Sequence, residues 1–211
     1  KMIKKLIDKI VSSVDDEQQI VLIDPSSLSS PKPEPDMRII GMFCDVAEDK
    51  VAEIIHAMLY LNEINKLEKD AAARQPIDFY LSTYGGSADD MFALYDIMRQ
   101  TRETTEIHTY GVGKVMSAGV PILAAGTKGK RKVGRNCRIM LHNVMAGTGG
   151  TIFSMENELE EIKWIQERYI EKLSEYTKLT PSKIKKLLKT QKDVYISAEE
   201  AIKMGIADEI I

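Results

Sequence analysis

The chain has 211 residues, of which 44% are hydrophobic and 29% charged, and its formal net charge is −3. This composition fits a soluble globular protein with one main domain, and the weak negative balance argues against a nucleic-acid partner. No run of residues approaches the roughly 20 apolar positions of a membrane span, so no membrane partner is expected either. Residues 1–14 are too charged for a signal peptide, which makes the cytoplasm the expected location.

The two cysteines, Cys44 and Cys137, are far apart and form no Cys-x-x-Cys pair. Neither a zinc site nor a disulfide framework is therefore expected. The sequence also contains no Gly-x-x-x-x-Gly-Lys-Ser/Thr run, which is the loop that cradles nucleotide phosphates. We expect neither a metal nor a bound cofactor.

The N-terminal region, residues 1–37, differs in pattern from the rest. Apolar residues within 1–14 recur at helical spacing, and residues 25–35 are rich in Ser and Pro. This pattern predicts an amphipathic helix followed by a loop. The helix is expected to pack on its own domain or on a neighbouring subunit; a basic membrane-surface helix is the alternative.

Residues 38–211 alternate between strand-like and helix-like segments and are predicted to form one domain. Strands are predicted at residues 38–44, 77–82, 107–112, 138–141 and 194–196. Helices are predicted at residues 50–67, 87–102, 117–125, 154–176 and 197–204, with a further one beginning at Pro181. The charged, alanine-rich residues 66–74 extend the first of these helices, and Ser87 with Asp90 forms a capping box at the second. The repeated order predicts an α/β domain with a largely parallel sheet.

Ser117 lies where a predicted strand gives way to a helix, after Gly111 and Gly113. Such a turn can hold a side chain outward, and the helix that follows directs N–H groups toward a developing oxyanion. This placement favours a nucleophilic serine. A serine that only caps the helix is the alternative interpretation.

A serine nucleophile needs a base, and the chain has three histidines. His142 ends a predicted strand and precedes a glycine-rich loop, a position typical of functional sites in α/β sheets. His56, within a helix, and His108, within a strand, are expected to be surface or packing residues. Asp193 precedes another predicted strand and is a candidate to orient the histidine, although a solvated charge is the alternative for any single aspartate.

Gly85 and Gly86 form a second candidate element at a strand-to-helix turn. This pair could cradle a phosphate, hold a thioester carbonyl or form half of an oxyanion hole. The basic run at residues 128–132 is expected to be a solvated loop.

Taken in order, these segments resemble the ClpP family of serine peptidases. The resemblance covers residues 38–211 and is carried by four motifs: residues 84–87, Tyr-Gly-Gly-Ser; residues 117–126, Ser-Ala-Gly-Val-Pro-Ile-Leu-Ala-Ala-Gly; residues 140–142, Met-Leu-His; and Asp193 ahead of residues 195–201, Tyr-Ile-Ser-Ala-Glu-Glu-Ala. It implies the ClpP/crotonase-like fold of repeated β-β-α units with a protruding long helix.

The resemblance also implies an activity and a site. It identifies Ser117 as nucleophile, His142 as general base and Asp193 as the residue that orients it, with the backbone N–H groups of Gly86 and Ala118 as the oxyanion hole. The implied protein is an ATP-dependent serine endopeptidase that cleaves peptides and unfolded proteins inside a ring-shaped chamber through an acyl-enzyme. The implied partners are further copies of the chain, in two stacked heptameric rings, and an AAA+ unfoldase.

Several positions depart from the family pattern. Thr83-Tyr84 replaces the usual Ser-Pro, Ala118 replaces the usual Met, and Lys114 is unusual so close to the serine. Residues 1–37 do not resemble the family's axial loops, and residues 66–74 resemble an insertion. These departures are compatible with a divergent, phage-encoded member.

Three other functions stay open on the sequence alone. A crotonase-like acyl-CoA enzyme shares the general fold but does not need the serine, the histidine and the aspartate together. A non-catalytic ring subunit usually lacks part of the triad. A serine–lysine peptidase on the same fold would use a lysine as base, and Lys114 is the one lysine near Ser117 in sequence.

Overall fold

A computed structural model of the chain describes residues 37–189 and 192–211. The helix predicted for residues 1–14 and the loop predicted for residues 25–35 lie outside the described residues. The fold of the remaining chain is mixed α/β, as the sequence predicted.

The described residues contain one sheet of seven strands, and every pairing but one is parallel. In chain order the strands are β1 (Ile39–Met42), β2 (Ile77–Thr83), β3 (Ile107–Met116), β4 (Arg131–Val133), β5 (Arg138–Leu141), β6 (Val194–Ile196) and β7 (Glu209–Ile210). The main path runs β1-β2-β3-β4-β7, while β5 pairs with β3 and β6 pairs antiparallel with β5. The prediction of a largely parallel sheet is confirmed.

Strand β3 is the branch point of the sheet. Its first half, Thr109 to Gly111, pairs with β4, and its second half, Lys114 to Met116, pairs with β5. Gly113, with φ of 66°, lies between the two halves in the left-handed region that glycine tolerates best. The prediction ended this strand at residue 112; the second half adds the residues that lead to Ser117.

Six helices pack on the described sheet or extend from it: α1 (Glu48–Leu67), α2 (Ala88–Thr101), α3 (Gly119–Ala124), α4 (Ile152–Tyr176), α5 (Pro181–Leu188) and α6 (Ala198–Met204). Their starts follow from capping chemistry. Thr180 accepts a hydrogen bond from the Lys183 amide ahead of Pro181, and Ser197 forms a full capping box with Glu200.

Two local predictions were wrong. Residues 66–74 do not extend α1, which ends at Leu67; a 3₁₀ turn, Ala71–Ala73, follows instead, because the Asp70 carboxylate accepts the Ala72 amide. At α2, Ser87 accepts the Asp90 amide, but the Ser87 amide donates to the carbonyl of Val46, so the reciprocal half of the predicted capping box is missing.

The core lies between the sheet and helices α1, α2 and α3. Strand β2 alternates buried and half-buried residues, which is the pattern of a strand with one face covered. Fully buried apolar side chains come from both layers: Phe79, Leu81, Met91, Leu94, Met98, Ile122 and Leu123. This packing fixes the carboxyl ends of β2 and β3, where the candidate site lies.

A buried ion pair, which we call the Arg131 anchor, joins β4 to the C-terminal segment. The Arg131 guanidinium donates to both carboxylate oxygens of Asp208, at 2.8 and 2.6 Å, and to the carbonyls of Ala124 and Tyr176, at 3.2 and 2.5 Å. The amides of Gly129 and Arg131 also donate to Asp208. Burial would raise the pKa of the Asp208 carboxyl, but these hydrogen bonds outweigh it and hold the pKa below its usual value.

The two cysteines differ in environment. Cys137 is buried and Cys44 is half-buried, and they are not joined by a disulfide. Burial raises the pKa of the Cys137 thiol to about 11.

Residues 37–189 and 192–211 contain neither a membrane-spanning helix nor a metal-binding cluster. No helix in that part of the chain has both the length and the apolar character needed to cross a bilayer. No cluster of three or more His, Cys, Asp or Glu residues there could hold a metal ion.

Candidate active site

Ser117 lies directly after β3 and has a φ of 52°, in the left-handed region that residues other than glycine rarely adopt. Three hydrogen bonds hold this backbone. The Ser117 amide donates to the Met140 carbonyl at 2.8 Å, and the Ser117 carbonyl accepts from the Val120 amide at 3.0 Å and from the Tyr169 hydroxyl at 3.3 Å. The sequence predicted that this helix begins at Ser117. Helix α3 begins at Gly119 instead, so Ser117 lies in the turn before the helix.

His142 follows β5, and the sheet brings it to the serine. Strands β3 and β5 are parallel neighbours, with Met116 paired to Met140, so both strands end at the same edge. The His142 Nε2 and Ser117 Oγ atoms are 2.7 Å apart, which is hydrogen-bond distance for a nucleophile and its base. Of the other histidines, His56 is exposed, and His108 contacts the carboxylate of Glu106.

Asp193 is exposed and directly precedes β6. Within the described residues, no hydrogen bond or ion pair joins its carboxylate to His142. The antiparallel ladder ends one step before these residues: its last pair is Leu141 with Val194, His142 directly follows Leu141, and Asp193 directly precedes Val194. Both residues therefore lie at the same end of this strand pair.

The glycine turn after β2 lies against Ser117. Gly85 has a φ of 104°, and a Cβ there would meet the Ser117 Cβ at 2.6 Å. Gly86 has a φ of 147°, and a Cβ there would meet the Val46 carbonyl oxygen at 2.2 Å. Val46 fixes the turn through a bridge to Gly86, donating its amide to the Gly85 carbonyl at 2.7 Å. No other residue type fits either position without moving the backbone.

Two N–H groups, one in the glycine turn and one directly after Ser117, have no acceptor among the described residues. Among the backbone hydrogen bonds of the described turns and loops, neither the Gly86 amide nor the Ala118 amide acts as a donor. Ala118 is buried, and buried amides are almost always paired, so an N–H there without an acceptor among the described residues suggests a ligand oxygen as its partner. Gly86 is exposed, so its N–H can reach a ligand from the solvent side. Both residues line the same cavity as Ser117.

That cavity has a volume of about 490 Å³. Its lining is largely apolar and rich in methionine, with Ser117 and His142 as the reactive groups; the other lining residues include Met91, Met116, Met140, Met145, Tyr84 and Tyr169. Methionine side chains adapt to irregular apolar groups, so the cavity can accept an apolar side chain next to the serine.

Sequence reasoning missed Tyr169 as a member of the site. Its ring is buried, which raises the pKa of the phenol above its usual value, and its hydroxyl contacts the Ser117 backbone. In the sequence it is one of several apolar residues at helical spacing, and nothing in that spacing distinguishes a residue facing the cavity from one in the core.

Lys114, the candidate base of a serine–lysine enzyme, does not point at the serine. Its Nζ lies 4.4 Å from the centre of the Tyr84 ring, while His142 makes the hydrogen bond to Ser117. The geometry therefore favours the histidine as base.

A serine held in a strained turn, within hydrogen-bond distance of a histidine and beside two amides that have no acceptor in the described part of the chain, has the arrangement of a serine hydrolase. The family comparison is more specific. The family model for Clp protease matches residues 35–211, and the chain belongs to that family. It is a Clp-type serine peptidase, and the resemblance and fold class predicted from the sequence are confirmed.

Individual relatives agree with this. The chain is 35% identical to ATP-dependent Clp protease proteolytic subunit 1 of Prochlorococcus marinus, covering 82% of this chain and 83% of the relative. It is 33% identical, over the same shares, to proteolytic subunit 2 of a Synechococcus species. It is 35% identical to proteolytic subunit 4 of Rhodococcus jostii, covering 82% of this chain and 84% of the relative.

Proposed function

We propose that this chain hydrolyses peptide bonds with Ser117 as nucleophile, His142 as general base and Asp193 as the residue that orients the histidine. The observation that carries the proposal is the 2.7 Å contact between His142 Nε2 and Ser117 Oγ. It places a base within reach of a hydroxyl proton at the wall of a cavity large enough for a side chain of a peptide.

The reaction follows from these positions. The Ser117 oxygen attacks the carbonyl carbon of the scissile bond while its proton passes to His142, and the carbonyl oxygen becomes an oxyanion. The Gly86 and Ala118 amides donate to that oxyanion. His142 then gives the proton to the departing amine, the carbon–nitrogen bond breaks, and an acyl-enzyme remains. A water molecule, deprotonated by His142, attacks the ester carbon; the bond to Ser117 Oγ breaks, His142 returns the proton to that oxygen, and the new carboxyl end is released.

Asp193 has a supporting role in this proposal. Asp193 and His142 adjoin the last pair of the β5–β6 ladder, Val194 with Leu141, which supports a position where the Asp193 carboxylate accepts a hydrogen bond from Nδ1 after a side-chain rotation. That bond fixes the tautomer with a free Nε2 and stabilises the imidazolium that forms during attack. The carboxylate is exposed in this conformation, so the rotation does not require a buried charge to move.

We further propose that the chain assembles into two stacked heptameric rings. Helix α4 buries only Tyr169, Ile170 and Leu173 among its 25 residues, and it leaves large apolar side chains exposed: Ile152, Phe153, Met155, Leu159 and Trp164. Exposed apolar surface of this extent commonly marks an interface between subunits. Residues 145–149, ahead of α4, form no strand within the described chain, so their backbone groups could pair with a second copy.

Such a chamber would admit peptides and unfolded chains in the cytoplasm and would need a separate AAA+ unfoldase for folded proteins. The relatives named above are described as ATP-dependent, and this sequence lacks a phosphate-binding loop motif. Residues 1–37 are proposed to be a region separate from the peptidase domain of residues 38–211.

The activity is tested with short fluorogenic peptides that carry an apolar residue before the scissile bond. The chain should release the fluorophore without ATP, and a fluorophosphonate should label Ser117 and stop the reaction. Labelling at another residue, or hydrolysis that persists after complete labelling, would refute the site. Absence of both labelling and hydrolysis would favour a non-catalytic ring subunit.

The assembly is tested by light scattering on the intact chain. A subunit has a mass of 23.7 kDa, and the proposal expects a particle of fourteen subunits at micromolar concentration. Replacing Trp164 and Leu159 by glutamate should split the particle, because it places charges on the exposed apolar face of α4. A monomer under all conditions would contradict the ring.

A further inference from the structure

Two cations lie next to each other on the sheet face that carries the active-site cavity. Lys114 and Arg138 are register partners on the parallel strands β3 and β5, so their side chains leave the same face of the sheet. Two residues further along, Met116 and Met140 occupy the same face and line the cavity. The two cations therefore lie directly beside the two methionines that line the cavity, on the same face of the sheet.

Carboxylates do not pair with these two cations in the described part of the chain. Within residues 37–189 and 192–211, none forms an ion pair with Lys114 or Arg138. The sequence has more Asp and Glu than Lys and Arg, 32 against 29, so the lack of a partner is not a general shortage of acids. Like charges on neighbouring strands repel, and the pair therefore costs stability unless an anion lies between them.

Both cations are held by aromatic rings rather than by carboxylates. The Lys114 Nζ lies 4.4 Å from the centre of the Tyr84 ring, and the Arg138 guanidinium lies 5.9 Å from that of Tyr195. Stacking limits the motion of a long side chain while leaving its N–H groups free to donate. Tyr84 also lines the cavity, so Lys114 packs against a side chain of the cavity wall.

We propose that Lys114 and Arg138 form a subsite for an acidic side chain of the substrate. Lys114 is three strand residues from Ser117, which is about 10 Å in extended backbone. A peptide bound in extended form would therefore place its acidic residue two or three positions from the scissile bond. This subsite rests on the proposed peptidase function and adds a substrate preference to it.

The test compares two series of peptides whose matched members differ by one carboxylate. The first series carries a single Glu at one of the positions two or three residues from the scissile bond, and the second carries Gln at the same position. For one position, kcat/KM should be about fivefold higher for the Glu peptide at low salt, since partly exposed ion pairs contribute up to about 1 kcal/mol each. The preference should decline as ionic strength rises.

Variants assign the preference to the two cations. Lys114→Gln and Arg138→Gln should each lower the Glu-to-Gln ratio, the double variant should bring it to about one, and Lys114→Glu should favour a Lys peptide. Lys132→Gln is the matched control: Lys132 also lies over a tyrosine, 5.5 Å from the Tyr110 ring, but pairs with Glu209 at 3.5 Å. It should leave the ratio unchanged.

Binding to the Ser117→Ala variant separates this proposal from the proposed catalysis. Fluorescence anisotropy of labelled Glu and Gln peptides should show the same preference for Glu even if no peptide is cleaved. Equal binding and equal kcat/KM for the two peptides at every position would overturn the subsite, and so would a preference that survives the double variant.

Discussion

The two ends of the sheet use polar groups in opposite ways. At the carboxyl ends of β2, β3 and β5, Ser117 is strained and the Gly86 and Ala118 amides have no acceptor among residues 37–189 and 192–211. At the amino ends of β4 and β7, the Arg131 anchor places every described contact of its guanidinium on a carboxylate or carbonyl oxygen. The first end keeps hydrogen-bonding capacity for a substrate, whereas the second uses all of it to hold the fold together.

The largest expected effect tests the catalytic end. Ser117→Ala should lower kcat for peptide hydrolysis on the order of 10⁴-fold or more, because it removes the proposed nucleophile. The free energy of unfolding should change by less than about 0.5 kcal/mol, since the oxygen's one described protein partner is the half-exposed His142. Fluorogenic peptide assays and urea unfolding measure the two quantities. A large loss of unfolding free energy would show that Ser117 also stabilises the fold, which contradicts the contrast between the two ends of the sheet.

The opposite end should lose stability instead of activity. Arg131→Met should lower the free energy of unfolding by about 3–5 kcal/mol, because it leaves the Asp208 carboxylate partly buried without its partner. The double change Arg131→Met with Asp208→Leu should recover part of this loss. Lys50→Met, which breaks an exposed pair with Glu53, is the control and should cost less than about 1 kcal/mol. A loss for Lys50→Met as large as that for Arg131→Met would contradict the anchor.

The same anchor makes a prediction about acid. The pKa of Asp208 is lower in the folded chain than its usual value, so its contribution is complete above about pH 4 and is lost as the pH falls through the folded-state value. The difference in unfolding free energy between the chain and Asp208→Asn should therefore be largest near pH 7 and shrink below pH 4. A difference that stays constant across this range would show that the charge of Asp208 is not what stabilises the anchor.

The smallest effect concerns the backbone of the nucleophile. Tyr169→Phe removes the hydroxyl that donates to the Ser117 carbonyl, and we expect kcat to fall several-fold while KM changes little, because the serine is less well held. Tyr95→Phe is the matched control, since it removes a buried hydroxyl that bonds Glu175 away from the cavity. Both variants should lose about 1 kcal/mol of stability, but Tyr95→Phe should keep its kcat. Equal kcat losses would assign Tyr169 a purely structural role.

Short-range signals in the sequence predicted much of this molecule. Strand and helix order, the Ser197 capping box and the glycine turn follow from local spacing, and Ser117 and His142 could be paired through the family motifs. The branching of β3, the contact from Tyr169 and the Arg131 anchor could not be predicted, because each joins residues far apart in the chain. Asp208 lies 77 residues from Arg131, and no local pattern indicates that they meet.

The contrast between the two thiols has a practical consequence for measuring motion near the glycine turn. Maleimide reagents react with thiolates, and the buried Cys137, with its pKa near 11, offers almost none at neutral pH. Since the sequence has just one other cysteine, a fluorophore added to the intact folded chain should attach at Cys44. That position is two residues from Val46, whose backbone holds Gly85 and Gly86 in place. A dye at Cys44 would report peptide binding at the turn without any engineered change to the sequence.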